Sequence, residues 1–212
     1  MLASASRRVV RWSVLASSAA LLALAPAAAH ADDFTSGTLD RACAVSSNFN
    51  WTGCSSLLPV GDAVNEDTSV DHYASLVHFD LGDAGLPEGA VITSAQLILY
   101  NDSIGGDPFS VGEHAVAQPV LVPWNDDVDW STTDGSTPWS GSDFGDTVDN
   151  DSLDWGLYLQ FDVTDVVQDW VDGTSDNDGI RVTAPESAFA PYLATGVGGF
   201  SKPELSIEYT TR

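Results

Sequence analysis

Gly156-Leu157-Tyr158-Leu159-Gln160-Phe161-Asp162-Val163 alternates apolar with polar residues. A period of two puts Leu157, Leu159, Phe161 and Val163 on one face of a strand, and Tyr158, Gln160 and Asp162 on the other. The period then changes. In Thr164-Asp165-Val166-Val167-Gln168-Asp169-Trp170-Val171 the apolar residues fall at i, i+1, i+4 and i+5, which predicts a helix of about two turns. Thr164 is placed to cap it, and Asp165 stands in the first turn, where a carboxylate is favoured. Gly173 ends it. The stripe of Val166, Val167 and Trp170 then covers one end of the body to which the strand belongs.

The same alternation recurs to either side. In Ser75-Leu76-Val77-His78-Phe79-Asp80-Leu81, the residues Val77, Phe79 and Leu81 share a face, with His78 and Asp80 opposite. Leu205, Ile207 and Tyr209 alternate with Glu204, Ser206 and Glu208. Residues 92–100 and 116–122 are further strands, and Pro119 pushes the second toward a sheet edge. Residues 179–183 are another, entered by a turn at Asp176-Asn177-Asp178-Gly179. Clusters of Gly, Ser, Asp and Asn separate these runs at intervals of roughly ten residues. The rhythm predicts an all-β chain, an antiparallel β-sandwich of jelly-roll type with one short helix near 164–171. Residues 124–154 break the rhythm. Loops this long are usually functional or disordered, and Trp124, Trp130 and Trp139 argue against disorder.

The chain has 212 residues, with 7 Lys and Arg against 31 Asp and Glu. Arg7, Arg8 and Arg11 precede an apolar run over 14–29 and then Ala29-His30-Ala31, the pattern of a cleaved secretory signal over 1–31. Ser6-Arg7-Arg8 also fits twin-arginine export, although Arg11 stands where that signal usually has an apolar residue. Ser17, Ser18 and Pro26 break the run, and it falls short of the ~20 apolar residues of a membrane span. The expectation is a secreted, extracellular protein, free or held at the cell surface. From Asp32 onward, 4 basic residues face 31 acidic ones, a net charge of −27. That excludes nucleic acid as a natural partner and disfavours anionic membranes. It suits a soluble monomer. Cys43 and Cys54 are expected to form a disulfide in an oxidising compartment. A redox pair is the alternative, but such motifs usually hold two residues between the sulfurs. Residues 32–53 read as an N-terminal extension with the disulfide loop, and 54–212 as the sandwich domain.

Several of these segments, taken in order, resemble the DNRLRE-domain proteins. Ala74-Ser75-Leu76-Val77-His78-Phe79-Asp80-Leu81 and the following Leu86-Pro87-Glu88-Gly89-Ala90-Val91-Ile92-Thr93-Ser94-Ala95-Gln96-Leu97 are similar to the family's first block. Pro123-Trp124, Val128-Asp129-Trp130 and Pro138-Trp139 are similar to its second. Phe161-Asp162-Val163-Thr164 through Trp170-Val171-Asp172-Gly173 is similar to its most specific block. Lys202-Pro203-Glu204-Leu205-Ser206-Ile207-Glu208-Tyr209 is similar to its last. The resemblance covers 54–209. It implies a jelly-roll sandwich with a non-catalytic glycan-binding or surface role, in a family some of whose members accompany polysaccharide-degrading enzymes, including alginate lyases. This chain is far more acidic than binding of a polyanion favours, because like charges repel unless cations bridge them.

Sugar binding combines aromatic faces with hydrogen-bonding side chains in a shallow site. Trp139 and Trp51 stand in polar loops and are the platform candidates, with Trp130 and Trp124 half-buried beside them; Trp170 belongs to the core stripe. Calcium is the second chemistry, because clustered carboxylates suit a hard cation. Asp126, Asp127 and Asp129, with Asn125, are the first candidates. Asp62-Asn65-Glu66-Asp67 and Asp172-Asp176-Asp178 are the others. An EF-hand is rejected, since Thr174 replaces the first Asp and Pro185 takes the place of the twelfth-position Glu. Any Ca²⁺ would be structural, and no cofactor is required.

Catalysis finds less support. Only six of the 31 acids are Glu, and no pair is placed as a glycosidase requires. His72, His78 and His114 have no G-x-S-x-G elbow to serve. His72 reads as a loop pair with Asp71 and His78 as an outward strand residue, with no third anchor for zinc. The favoured function is therefore non-catalytic recognition of an extracellular polysaccharide, neutral, or anionic only with bridging cations. The alternatives are a surface structural or adhesion protein that binds another protein, and a polysaccharide-degrading enzyme.

Overall fold

The computed structural model describes residues 32–48, 53–54, 57–64, 67–100, 114–152, 158–184, 192–194 and 202–211. The signal segment, Trp51, Asn65 and Glu66 lie outside them. The elements in chain order are β1 (Asp33–Ser46), β2 (Leu57–Pro59), β3 (Gly61–Val64), β4 (Val70–Asp80), β5 (Val91–Tyr100), β6 (His114–Pro119), β7 (Asp149–Ser152), β8 (Tyr158–Asp162), α1 (Thr164–Asp172), β9 (Ile180–Thr183), β10 (Tyr192–Ala194) and β11 (Glu204–Thr210).

Every strand pairing is antiparallel. The first half of β1 pairs β11, which continues through β5 to β8. Its second half pairs β4, which continues through β9 and β6 to β7. A bulge between Leu39 and Arg41 marks the crossing, and bulges bend strands in this way. The two sheets thus share β1 at one side. At the other side β7 and β8 meet without a backbone ladder. Asp149 accepts the Asp162 N–H and Asp151 accepts the Gln160 N–H, both at 2.7 Å. Two carboxylates cover the open edge of β8 that another strand would otherwise pair.

The core between the sheets is the alternation read from the sequence. Val77, Phe79, Leu97, Leu99, Leu159, Phe161, Ile180, Val182, Leu205 and Ile207 are all buried. Val166, Val167 and Trp170 of α1 join that cluster. Gln168 accepts the Ile92 N–H at 2.8 Å and ties the helix to β5. The helix ends at Gly173, whose φ of 68° is left-handed and whose N–H reaches the Trp170 carbonyl. The protein is an all-β antiparallel sandwich of jelly-roll type, with one short α-helix among the described residues.

Three local expectations change. Thr164 does not cap α1: Asp162 accepts its N–H and its hydroxyl, and the Thr164 oxygen accepts the Ala95 N–H. Pro119 does not mark an edge. β6 lies between β9 and β7, and Pro119 falls beyond the residues that pair with β7, where its missing N–H costs no bond. Residues 33–46 are no extension, because β1 is the strand that both sheets share.

Candidate functional site

The inner face of β4 belongs to the main core, and its outer face is apolar as well. Cys43 and Val45 of β1, with Ala74 and Leu76 of β4, form a second buried cluster with Val120, Trp124 and Val128. The long segment between β6 and β7 lies over this face and brings Trp130, Trp139 and Phe144 to its margin. A sheet covered on both faces needs apolar residues on both, which is why β4 reads as nearly continuous burial.

Arg41 fastens the covering segment. It donates to the Trp124 carbonyl, its Nε lies 3.0 Å from Asp126, and its guanidinium stands 4.9 Å from the Trp124 ring centre. The Trp124 indole N–H donates to the Asp178 carbonyl at 2.7 Å, and that of Trp139 to the Asp129 carbonyl at 2.9 Å. The segment's own acids build its turns. Asp129 accepts the N–H groups of Ser131 and Thr132. Asp134 accepts from the N–H and hydroxyl of both Ser136 and Thr137, which hold its pKa down to about 2. Asp143 accepts from the Ser140 N–H and hydroxyl. Cys43 and Cys54 are joined in a disulfide beside this cluster.

Between the covering segment and the sheet is an open pocket of about 190 Å³. Val45, Ala74 and Leu76 are its sheet wall, Trp130, Trp139 and Phe144 its loop wall, and Arg181 of β9 stands among them. Trp139 and Phe144 pack at 4.8 Å between ring centres. The Arg181 guanidinium lies 4.4 Å from the Phe144 centroid. Burial pulls its pKa below the ordinary arginine value. Among the described residues no carboxylate comes within 4.0 Å of it. Trp130 also stacks on His72 at 6.2 Å, and His72 Nδ1 lies 2.6 Å from Asp62. The second oxygen of Asp62 is buried and has no partner among the described residues.

Trp130 and Trp139 thus come together at one pocket. Trp124 does not join them: it is 6% exposed and packs beneath the segment. Trp51 lies outside the described residues. Asp126, Asp127 and Asp129 do not converge as a calcium site. Asp126 faces Arg41, Asp129 is occupied by turn N–H groups, and the Asp127 N–H is bound back to Asn125. Asp172, Asp176 and Asp178 do not converge either. Burial and the neighbouring Asp176 push the Asp178 carboxyl up. Of the set around Asp62, two members lie outside the described residues, and Asp62 itself is bound to His72. Among the described residues the one group of three donors close enough to share a metal is Cys43, Cys54 and Asp126, and its sulfurs are bonded to each other. His72 pairs with Asp62 rather than Asp71, whose carboxylate instead receives Ser46, Ser47 and the Asn48 N–H. His78 faces outward as its register requires, yet it is bonded to Asp40 and to the Asn177 carbonyl.

Arg181 and Phe144 were not singled out in the sequence. The signal for Arg181 was present: it is one of four basic residues after Asp32, and it alternates with Ile180 and Val182. No family model matches the chain, and no curated protein is found that is similar to it.

Proposed function

We propose that the protein is an exported binding module that recognises an extracellular polysaccharide without cleaving it, and that it belongs with the DNRLRE-type sandwich modules its motifs resemble. The observation that carries this reading is the open pocket walled by Trp130, Trp139 and Phe144. Flat aromatic walls in a shallow site suit a sugar ring, which offers an apolar face. The disulfide fits an oxidising compartment, and no helix among the described residues is long and apolar enough to cross a membrane.

The test is retention on a panel of insoluble and immobilised polysaccharides, with calcium and with chelator, and with the supernatant assayed for released sugar. Retention without sugar release is expected. It should persist in chelator, because the acids of the covering segment are engaged in turns and with Arg41. Trp139→Ala and Trp130→Ala should each weaken retention by about tenfold or more, the scale of a buried aromatic anchor. Retention unchanged in both variants refutes the site. Released sugar would make the protein an enzyme, and no retention on any glycan would favour a protein partner.

A further inference from the structure

We propose that the pocket selects a sugar residue bearing one carboxylate, with Arg181 as the group that receives it; this rests on the glycan-binding reading above. The reason is a contrast between two arginines. Arg41 has Asp126 and Asp40 within ion-pair distance, together with the Trp124 carbonyl. Arg181 has neither a carboxylate nor a hydrogen-bond partner among the described residues, although the chain carries 31 acids. Its guanidinium rests on the Phe144 ring and faces an apolar pocket.

A desolvated charge without a partner is costly, and an apolar side chain in its place would pack at less cost. Arg181 lies opposite Leu76 in the register of β4 and β9, on the face that also carries Ala74. An apolar residue there would simply extend the second core. The guanidinium is therefore poised for an anion that comes from outside. Its planar fork matches a carboxylate with two parallel hydrogen bonds.

Size and charge narrow the ligand further. A cavity of about 150 Å³ accommodates one six-membered carbon ring, so a pocket of about 190 Å³ takes one ring with a small substituent. The ring would lie against Trp139 and Trp130 while the carboxylate turns to Arg181. A run of acidic sugars is disfavoured, because every further carboxylate meets a surface with a net charge of −27 from Asp32 onward. The ligand class is a largely neutral polysaccharide with isolated acidic residues, as side groups or at a chain end.

The experiment is a tryptophan-fluorescence titration with methyl β-glucuronide, methyl β-glucoside, a polyglucuronate and benzoate. The two glycosides differ only in a carboxylate for a hydroxymethyl group. Wild-type protein should bind the glucuronide roughly tenfold to a hundredfold more tightly than the glucoside, the range for hydrogen bonds to charged groups. Polyglucuronate should bind no better per residue. R181Q should abolish the difference between the glycosides, and R181K should keep part of it. R181Q should also unfold at the same urea concentration as wild type or a higher one, because no internal partner is lost. Equal affinity for both glycosides overturns this inference and leaves the glycan reading standing. Benzoate binding without either glycoside overturns both. Tighter binding of the polyanion overturns the single-carboxylate selectivity. The wild-type comparisons decide these points even if a variant fails to fold.

Discussion

Replacing Arg41 by Met should loosen the segment that carries the pocket's aromatic wall while leaving the main core intact. Three interactions are lost. The pair with Asp126 is worth little, about 0.2–1 kcal/mol, because that carboxylate is 76% exposed. The contact with the Trp124 ring adds about 0.5–1 kcal/mol. The bond to the Trp124 carbonyl is charge-assisted and half-buried, and contributes about 1.5 kcal/mol. These share one side chain and do not add fully. Met also keeps the packing of the aliphatic stem. A net loss of about 2 kcal/mol is expected, against a typical total of about 5–15 kcal/mol. In urea this lowers the midpoint by about 1 M with the slope unchanged. Acrylamide quenching of tryptophan emission should rise, and glycan retention should fall with it. A loss below about 0.5 kcal/mol, the scale of an ordinary surface substitution, would refute the view that Arg41 fastens the segment. Trp124 and the disulfide would then suffice.

Three further outcomes follow from the same geometry. Gly179→Ala places a Cβ 2.3 Å from the Val77 carbonyl oxygen at a φ of +88°, so the strained backbone and the clash together should cost at least about 3 kcal/mol in urea unfolding; a cost under about 1 kcal/mol would contradict the close approach of the 176–179 turn to β4. Asp134 has a folded pKa of about 2, below its ordinary 3.8, so its contribution is fully present above the ordinary value and is lost as pH falls through about 2. A carboxyl NMR titration of that residue with a midpoint near 3.8 would show that its four hydrogen bonds do not persist in solution. Reduction of the Cys43–Cys54 disulfide, which closes a loop with a sequence separation of 11, should lower stability by roughly 3 kcal/mol in the chain-entropy model; an unchanged unfolding midpoint after complete reduction would argue against that effect.

The strands at 75–81, 157–163 and 204–209 and the helix after them were legible because their signals are local. A period of two or of 3.6 needs only neighbouring residues, and the main core takes up the apolar set of each. β1 lacked that signal. Its first half is largely exposed, its inward residue Ala42 is small, and the bulge at Asp40 interrupts its alternation. It is a strand because two sheets each pair with half of it. Trp130 and Trp139 were readable as ligand-facing candidates from their place in a long polar segment, and the same criterion also picked out Trp124. Only packing separates them, since Trp124 is the one seated under Arg41 and against the second core.

The acids show where sequence alone stops. Their number settles what this chain repels, because net charge adds up without regard to fold. Which of them are free is a matter of partners distant in sequence: Asp126 is taken by Arg41, Asp149 and Asp151 by the edge of β8, Asp62 by His72. Alternation and composition thus determined the class of fold and the charge of the surface. Tertiary structure decided that those carboxylates are engaged while Arg181 stands unpaired in an aromatic pocket, because engagement depends on distances the chain acquires only when its two sheets close.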